Sequence, residues 1–301
     1  MRVFVTGATG FIGSAIVPGL INAGHQVLGL TRSDAGAAYL LAAGAGVHRG
    51  DLEDLESLRS GAAVSDAVIH TAFIHDFSKF AANCEIDRRA IEALGAGLST
   101  PGVSGSQRTL IVTSGTGPGI PGRLRTEDDP PFPSSAGMPR VSEEAAASVE
   151  SPLVRVSVVR LPQVHDRVKQ GLITYLIDVA RKTGVSAYIG DGLNRWAAGP
   201  VLDAAQLYRL ALEKGSAGAH YHAVAEEGVP LREIAESIGR GLNVPVVSMS
   251  PEQAGEHFGW LAFFVGFDMS ASGALTQQRL GWRPTGPGLI SDLDQMRYFE
   301  A

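Results

Sequence analysis

Three glycines near the N-terminus have the spacing to hold a phosphate. Residues 1–13 read Met-Arg-Val-Phe-Val-Thr-Gly-Ala-Thr-Gly-Phe-Ile-Gly. A β-branched and aromatic run breaks at Thr6 into Gly7-x-x-Gly10-x-x-Gly13, and an apolar stretch from Phe11 to Leu20 follows. In a strand–turn–helix unit Gly7 permits the tight turn. Gly10 lets the backbone approach a pyrophosphate, and Gly13 lets the helix pack close to the strand. Thr6, Thr9, Phe11 and Ile12 complete the turn. The helix N-terminus presents unpaired N–H groups and a positive dipole end to an anion. The chemistry predicted here is the binding of a nucleotide cofactor.

The elements that must position this turn alternate through the first half of the chain. Strands are expected over 2–6, 26–31, 46–49, 67–70, 109–113 and 153–161, with helices over 11–23, 35–43, 54–60, 80–98 and 141–150. Repeated βα units imply an α/β fold: a doubly wound, Rossmann-type parallel sheet covered on both faces. Residues 115–139 are rich in Pro, Gly, Ser and acids, and are expected to loop over the carboxyl edge of the sheet, where ligands bind. After Pro162 the pattern loosens. Helices are expected over 171–183, 202–214 and 231–242, strands over 219–224 and 244–249, and a polar loop over 191–196. The division that follows is a dinucleotide-binding domain of residues 1–161 and about 199–240. A smaller substrate lobe takes about 162–198 and 241–301.

Composition narrows the function. With 301 residues, 45% hydrophobic and 19% charged, the chain can bury a large core. A net charge of −6 without a Lys/Arg run argues against nucleic acid or an anionic membrane as partner and leaves a small molecule. Cys84 is the single cysteine, so no internal disulfide can form and a reducing cytoplasm is the expected compartment. Met1 runs straight into the first strand, so no secretory leader is expected, and the apolar stretch 260–267 is too short to span a bilayer. His220 and His222 share a strand face without further ligands placed by sequence, and no metal is expected.

Taken in order, these residues resemble the extended and atypical short-chain dehydrogenases/reductases, which include epimerase-like and 3β-hydroxysteroid-dehydrogenase-like proteins. The resemblance spans essentially the whole chain and rests on four landmarks: Thr6–Gly13, Gly50-Asp51-Leu52, Val68-Ile-His-Thr71-Ala72 and Val159-Arg-Leu-Pro162-x-Val164. It implies a nicotinamide dinucleotide, with Asp51 and Leu52 near the adenine and Thr71 and Ala72 wrapping the ribose. Thr113 would sit beside the cofactor, and Pro162 and Val164 would hold the nicotinamide amide. It also implies that helices 80–98 and 141–150 could pair in a homodimer, as they do in relatives. An NAD-type site usually ends the second strand with an acid. Here the strand ends Leu30-Thr31-Arg32-Ser33, and Arg32 offers a planar fork of donors suited to a 2′-phosphate, with Ser33 adding a hydroxyl. NADP(H) is the expected cofactor.

The family's Tyr-x-x-x-Lys pair is missing. Tyrosines stand at 39, 175, 188, 208, 221 and 298, and none has Lys four residues on. The stretch where the pair belongs reads Met138-Pro-Arg140-Val-Ser142-Glu143-Glu144, which puts Arg140 or Pro139 at the Tyr place and Glu143 or Glu144 at the Lys place. General acid catalysis is typically worth roughly 10²–10⁴ in rate, so an ordinary carbonyl reductase without its phenol is impaired. Several residues could take over. Ser114 could polarise a carbonyl at a strand end. His165 and Asp166, just past Pro162, are expected near the reacting centre, with His165 a donor near neutral pH. Glu143, Glu144 and Asp166 could instead stabilise an iminium ion, which needs no phenol. The expectation is an NADPH-dependent reductase of a C=O or C=N bond. The alternatives are an epimerase, weakened by the same loss, and a catalytically silent NADP(H)-binding sensor.

Overall fold

Continuous apolar runs build the central sheet, because a strand covered on both faces has no need to alternate. Val3, Phe4 and Val5 on β1 (Arg2–Thr6) are all fully buried, as are Val68 and Ile69 on β4 (Ala67–His70). The computed structural model describes residues 1–100, 107–134 and 139–296. Met138 and Tyr298 lie outside them. Between and after these strands come α1 (Gly13–Asn22), β2 (Gln26–Thr31), α2 (Asp34–Ala42), β3 (Gly46–Arg49), α3 (Leu55–Ala63), α4 (Phe80–Ser99), β5 (Arg108–Gly115), α5 (Ser142–Val149) and β6 (Val154–Leu161). The chain continues through β7 (Gln163–His165), α6 (Ile173–Thr183), β8 (Ser186–Ile189), β9 (Arg195–Pro200), α7 (Val201–Lys214) and β10 (Ala219–His222). It ends with β11 (Glu226–Pro230), α8 (Leu231–Leu242), β12 (Val246–Met249), α9 (Pro251–Phe258), α10 (Ala262–Val265), α11 (Ala274–Leu280) and α12 (Leu289–Asp294).

The large sheet has seven parallel strands in the order β3-β2-β1-β4-β5-β6-β10. This is the expected doubly wound, Rossmann-type sheet. Strand order reverses between β1 and β4, and a crevice opens at that point outside the carboxyl ends. One core face packs α1 and α7 against the sheet, with Ile16, Leu20, Leu207 and Tyr208 buried. The other packs α3, α4 and α5, with Leu58, Ile91, Leu94 and Ala145.

The lobe is stitched from pieces separated in sequence. β9 sits between antiparallel β11 and parallel β7, and β12 pairs with β8. The expected polar loop 191–196 thus ends inside β9, where Trp196 is fully buried. The boundary near 240 also shifts. Leu231, Ile234 and Ile238 of α8 belong to the lobe core with Ile177, Trp196 and Phe258, while Leu280 and Trp282 pack onto the sheet side with α7. The described part of segment 115–139 is tied down on two sides rather than draped loosely: Gly119 N–H donates to Asp268 O of the lobe at 2.7 Å, and Glu127 accepts from Thr276 N–H and Oγ1 of α11, on the sheet side, at 2.6 Å each.

Candidate active site

The glycine turn folds as its spacing requires. Gly7 has φ +67°, and a Cβ there would lie 2.8 Å from both Ala72 N and Thr71 Oγ1. A Cβ on Gly13 would lie 2.0 Å from Gly7 O, so only glycine lets α1 start against the strand end. The helix begins at Gly13 and not at Phe11, because residues 7–12 remain in the turn, with Gly10 N–H donating to Gly7 O at 2.8 Å. It starts with no side-chain cap and no acid in its first turn; Ser14 and Ala15 N–H already bond Gly10 O and Ile12 O, so what is left to an outside anion is the positive dipole end and the N–H groups of the turn just before them. A cradle that a single methyl group would fill, facing these donors, fits the pyrophosphate of a dinucleotide.

The turn forms one end of a crevice of about 1260 Å³. Gly7, Thr9, Gly10, Phe11, Ile12, Arg32, Ser33, Asp51, Leu52, Thr71, Ala72, Thr113, Pro162 and Val164 all line it. Thr6 does not. It is fully buried beneath the turn, where Oγ1 bonds His70 Nδ1 at 2.7 Å and braces β1 against β4. At the β2 end Arg32 is exposed and pairs with no carboxylate among the described residues, whereas nearby Asp34 is drawn to Arg49. Ser33 caps α2 by accepting from Gly36 N–H at 3.0 Å, and its own proton stays available. Asp51 Oδ1 accepts from Glu53 and Asp54 N–H at 2.9 and 3.0 Å.

The residues expected to do chemistry divide. Ser114 and Arg140 line the crevice together. Ser114 Oγ hydrogen-bonds to no group among the described residues, while Thr113 Oγ1 is taken by His70 O at 2.7 Å and Tyr208 Oη at 2.6 Å. Arg140 donates from Nε to Ser142 Oγ at 3.0 Å and from Nη2 to Thr113 O at 3.2 Å, and its guanidinium lies 4.5 Å over the Phe73 ring. Behind it runs a buried chain: Ser142 Oγ donates to Asp87 Oδ2 at 2.5 Å, and His70 Nε2 meets Asp87 Oδ1 at 3.0 Å. Burial would raise the Asp87 pKa, but His70, Arg140 and Ser142 together hold it below the ordinary carboxylate value.

The other expected residues stand elsewhere. His165 is carried behind Val164 into the lobe, where it is fully buried with Nδ1 2.8 Å from Asp292 Oδ2. Asp166 shapes a turn, its Oδ1 accepting from Val168 and Lys169 N–H at 2.6 and 2.7 Å. Glu143 grips Arg160 (2.7 Å) and His220 (3.1 Å). Burial opposes its charge, yet these two partners hold its pKa down to about 2. Glu144 bonds Ser134. None of these four lines the crevice.

Sequence reasoning missed Lys169, which the Asp166 turn lifts to 5.7 Å from the Phe11 ring; a lone loop lysine carries no pattern. The far wall is aromatic: Phe73, Phe77, Phe80, Tyr175, Phe263, Phe264 and Phe267. Trp196 belongs to the core of the lobe, and Trp260 stacks on Phe77. Among the described residues, the acids lining the crevice are Asp51 and Glu53, beyond β3, and the wall past Arg140 has none. Lost water, then Arg140 and Lys169, keep the His75 pKa below its usual value.

The profile of the NAD dependent epimerase/dehydratase family matches residues 3–128, spanning the glycine turn, Asp51, the β4 end and Ser114. The chain belongs to this family. An uncharacterized protein of Schizosaccharomyces pombe is 50% identical, over 99% of this chain and 100% of its own length. The 2-alkyl-3-oxoalkanoate reductase of Stenotrophomonas maltophilia is 26% identical, over 82% of this chain and 77% of that one. Among solved structures, the UDP-glucose 4-epimerase of Thermus thermophilus, in complex with NAD, superposes with a TM-score of 0.75 at 22% identity, over 100% of this chain and 99% of that one. This epimerase/dehydratase-family chain is thus of the short-chain dehydrogenase/reductase type, which takes in nicotinamide-dinucleotide oxidoreductases and epimerases. Among its described residues no helix is long and apolar enough to cross a membrane.

Proposed function

We propose that the protein is an NADPH-dependent reductase that delivers hydride to the carbonyl carbon of a small, largely apolar substrate. One observation carries the reading. A single crevice runs from the phosphate cradle, past the unengaged hydroxyl of Ser114 and the guanidinium of Arg140, to an aromatic wall. Reduced nicotinamide, when bound, supplies the two electrons and one hydrogen of the hydride. The protein's share is placement and electrostatics. Ser114 Oγ donates to the carbonyl oxygen and polarises it. As the carbon is reduced the π pair moves onto oxygen, which takes a proton from solvent through the Ser114 hydroxyl. Arg140 supplies positive charge beside it, and the aromatic wall keeps the reacting end poor in water. NADPH is favoured over NADH by Arg32, whose charge no nearby acid cancels, since Asp34 is held by Arg49.

The C=N alternative drew on Glu143, Glu144 and Asp166 to stabilise a cationic substrate. With none of them lining the crevice, and basic groups there instead, the carbonyl reading is the stronger. The name of the Stenotrophomonas relative, a reductase of oxoalkanoates, supports the same choice. The test is loss of nicotinamide absorbance when the protein and NADPH meet a panel of aldehydes, ketones and cyclic imines. Turnover of carbonyls is expected. Turnover of imines alone would replace this reading with the C=N one, and NADPH binding without any turnover would leave a silent sensor.

A further inference from the structure

The wall of the crevice past Ser114 is basic and aromatic at once. Arg140, His75 and Lys169 line it with Phe73, Phe77 and Tyr175, and no carboxylate among the described residues lines that wall; Asp87 lies behind Arg140, and Glu143 and Glu144 line a small adjoining pocket that Ser114 and Arg140 share. Arg140 is the fixed member of the set. Two of its N–H groups, on the Nε–Nη2 edge, are committed to Ser142 Oγ and Thr113 O. Phe73 supports its flat face, and the Ser142–Asp87–His70 chain locks the far end. A guanidinium carries five N–H donors, so the Nη1–Nη2 edge keeps a parallel pair to offer. That edge is the fork that matches a carboxylate with two hydrogen bonds. Because Arg140 is tied to the carbonyl of the peptide joining Thr113 to Ser114, the fork and the Ser114 hydroxyl serve neighbouring atoms of one ligand.

We infer that the substrate is an oxo acid: a carbonyl compound whose carboxylate, on the carbonyl carbon or one carbon away, is gripped by Arg140, with an aryl or alkyl tail against Phe77 and Tyr175. The inference rests on the reductase reading and narrows its substrate class. The reaction balances as before. The oxo carbon gains hydride and the oxygen a solvent proton, the coenzyme is oxidised, and the carboxylate passes through unchanged. Lys169 strengthens the local positive field without being required as a ligand.

The experiment compares matched substrates that differ only in charge: phenylpyruvate and 3-oxooctanoate against their methyl esters, with NADPH, for wild type, Arg140→Met and Arg140→Lys. In parallel, calorimetry of the coenzyme-loaded protein measures binding of unreactive 3-phenylpropanoate. Wild type is expected to favour an acid over its ester by about 100-fold in kcat/KM, in line with a charge-assisted, two-point contact. Arg140→Met should abolish that preference and the calorimetric signal, while NADPH affinity stays near wild type. Arg140→Lys should restore part of both. Esters reduced as well as acids, with Arg140→Met affecting both alike, would overturn the anion assignment and leave the reductase standing. No turnover of any substrate, with 3-phenylpropanoate still bound through Arg140, would overturn the reductase and keep the anion site. Neither turnover nor binding would remove both.

Discussion

Phe77, which lines the crevice, stacks face to face on Trp260, which does not, ring centroids 4.3 Å apart and planes 12° from parallel. Phe77 follows β4 on the sheet side, and Trp260 comes from the lobe between α9 and α10. Tyr175 meets both edge-on, at 5.9 and 5.2 Å, and Phe264 closes the box at 6.2 and 6.0 Å. Trp260 nevertheless remains 42% exposed, so it backs the crevice-lining Phe77 from the surface without being part of the core. It is the contact through which the lobe would sense a substrate tail.

Removing that contact should weaken substrate more than coenzyme. Aromatic pairs contribute about 0.5–1.5 kcal/mol beyond their buried area, which is roughly a 3- to 10-fold change in affinity. Trp260→Ala is therefore expected to raise KM about tenfold for an aryl substrate and to leave the NADPH dissociation constant within about twofold. Steady-state kinetics with fluorescence titration of NADPH would decide it. An equal loss of both affinities would mean that the stack holds the two parts together as structure.

Arg32→Ala tests the 2′-phosphate. A hydrogen bond to a charged group is worth about 1.5–3 kcal/mol, so NADPH affinity should fall roughly 10- to 100-fold. NADH has no group at that position and should change little. Asp34 does not confuse the result, since Arg49 occupies it. If both coenzymes lose affinity equally, Arg32 is a general surface cation and the preference for NADPH has no support.

Two glycines on one helix should respond in opposite directions. A Cβ on Gly13 would sit 2.0 Å from Gly7 O, whereas one on Gly19 meets nothing within 4 Å. Gly19→Ala should stabilise the protein by about 0.5–1 kcal/mol, through lower entropy of the unfolded chain. Gly13→Ala must push α1 off the strand end, which costs about 1–3 kcal/mol and opens the phosphate cradle. Thermal melts with and without NADPH separate the two. Gly13→Ala should lose the NADPH-induced rise in melting temperature; if it keeps the full rise, the cradle is not where the phosphates bind.

How much of this was legible depended on whether the deciding contact was local. β2 and β4 fall where their apolar runs lie, because a strand buried on both faces is specified by its own composition. The crevice lining was equally readable from the glycine turn and the β4 and β6 ends. Arg140 was legible as one of two residues, with Pro139, in the stretch where a phenol was expected. His165 could not be placed, since the partner that claims it, Asp292, is 127 residues away and nothing nearby announces the pair. Glu143 looked catalytic by position and became structural through Arg160 on β6 and His220 on β10, the two strands at that edge of the sheet. The lobe strands β7, β8, β9 and β11 are three to six residues long, and their pairing is set by tertiary contact, not by periodicity.

Glu143 and His222 give the fold a stepped response to acid. Both groups titrate in the folded protein below their ordinary values, so each contributes stability above its unfolded pKa that is lost as pH falls through its folded pKa. For His222, burial first and then Arg160 and Arg125 lower the pKa from 6.5 to about 4, against the pull of its bond to Ser272 O. Its contribution drains between those values. Glu143, at about 2 against an ordinary 4.5, drains next. At 1.36 kcal/mol per unit each is worth on the order of 3 kcal/mol at neutral pH. Glu143→Gln should destabilise the protein at pH 7, because Arg160 is left buried without its counter-charge. It should also flatten the loss below about pH 4.5 while preserving the slope between 6.5 and 4. Urea unfolding from pH 7 to 3 measures both. A variant that keeps the wild-type slope below pH 4.5 would show that other carboxylates drive the acid transition and that the Glu143–Arg160 pair does not hold β6 to α5.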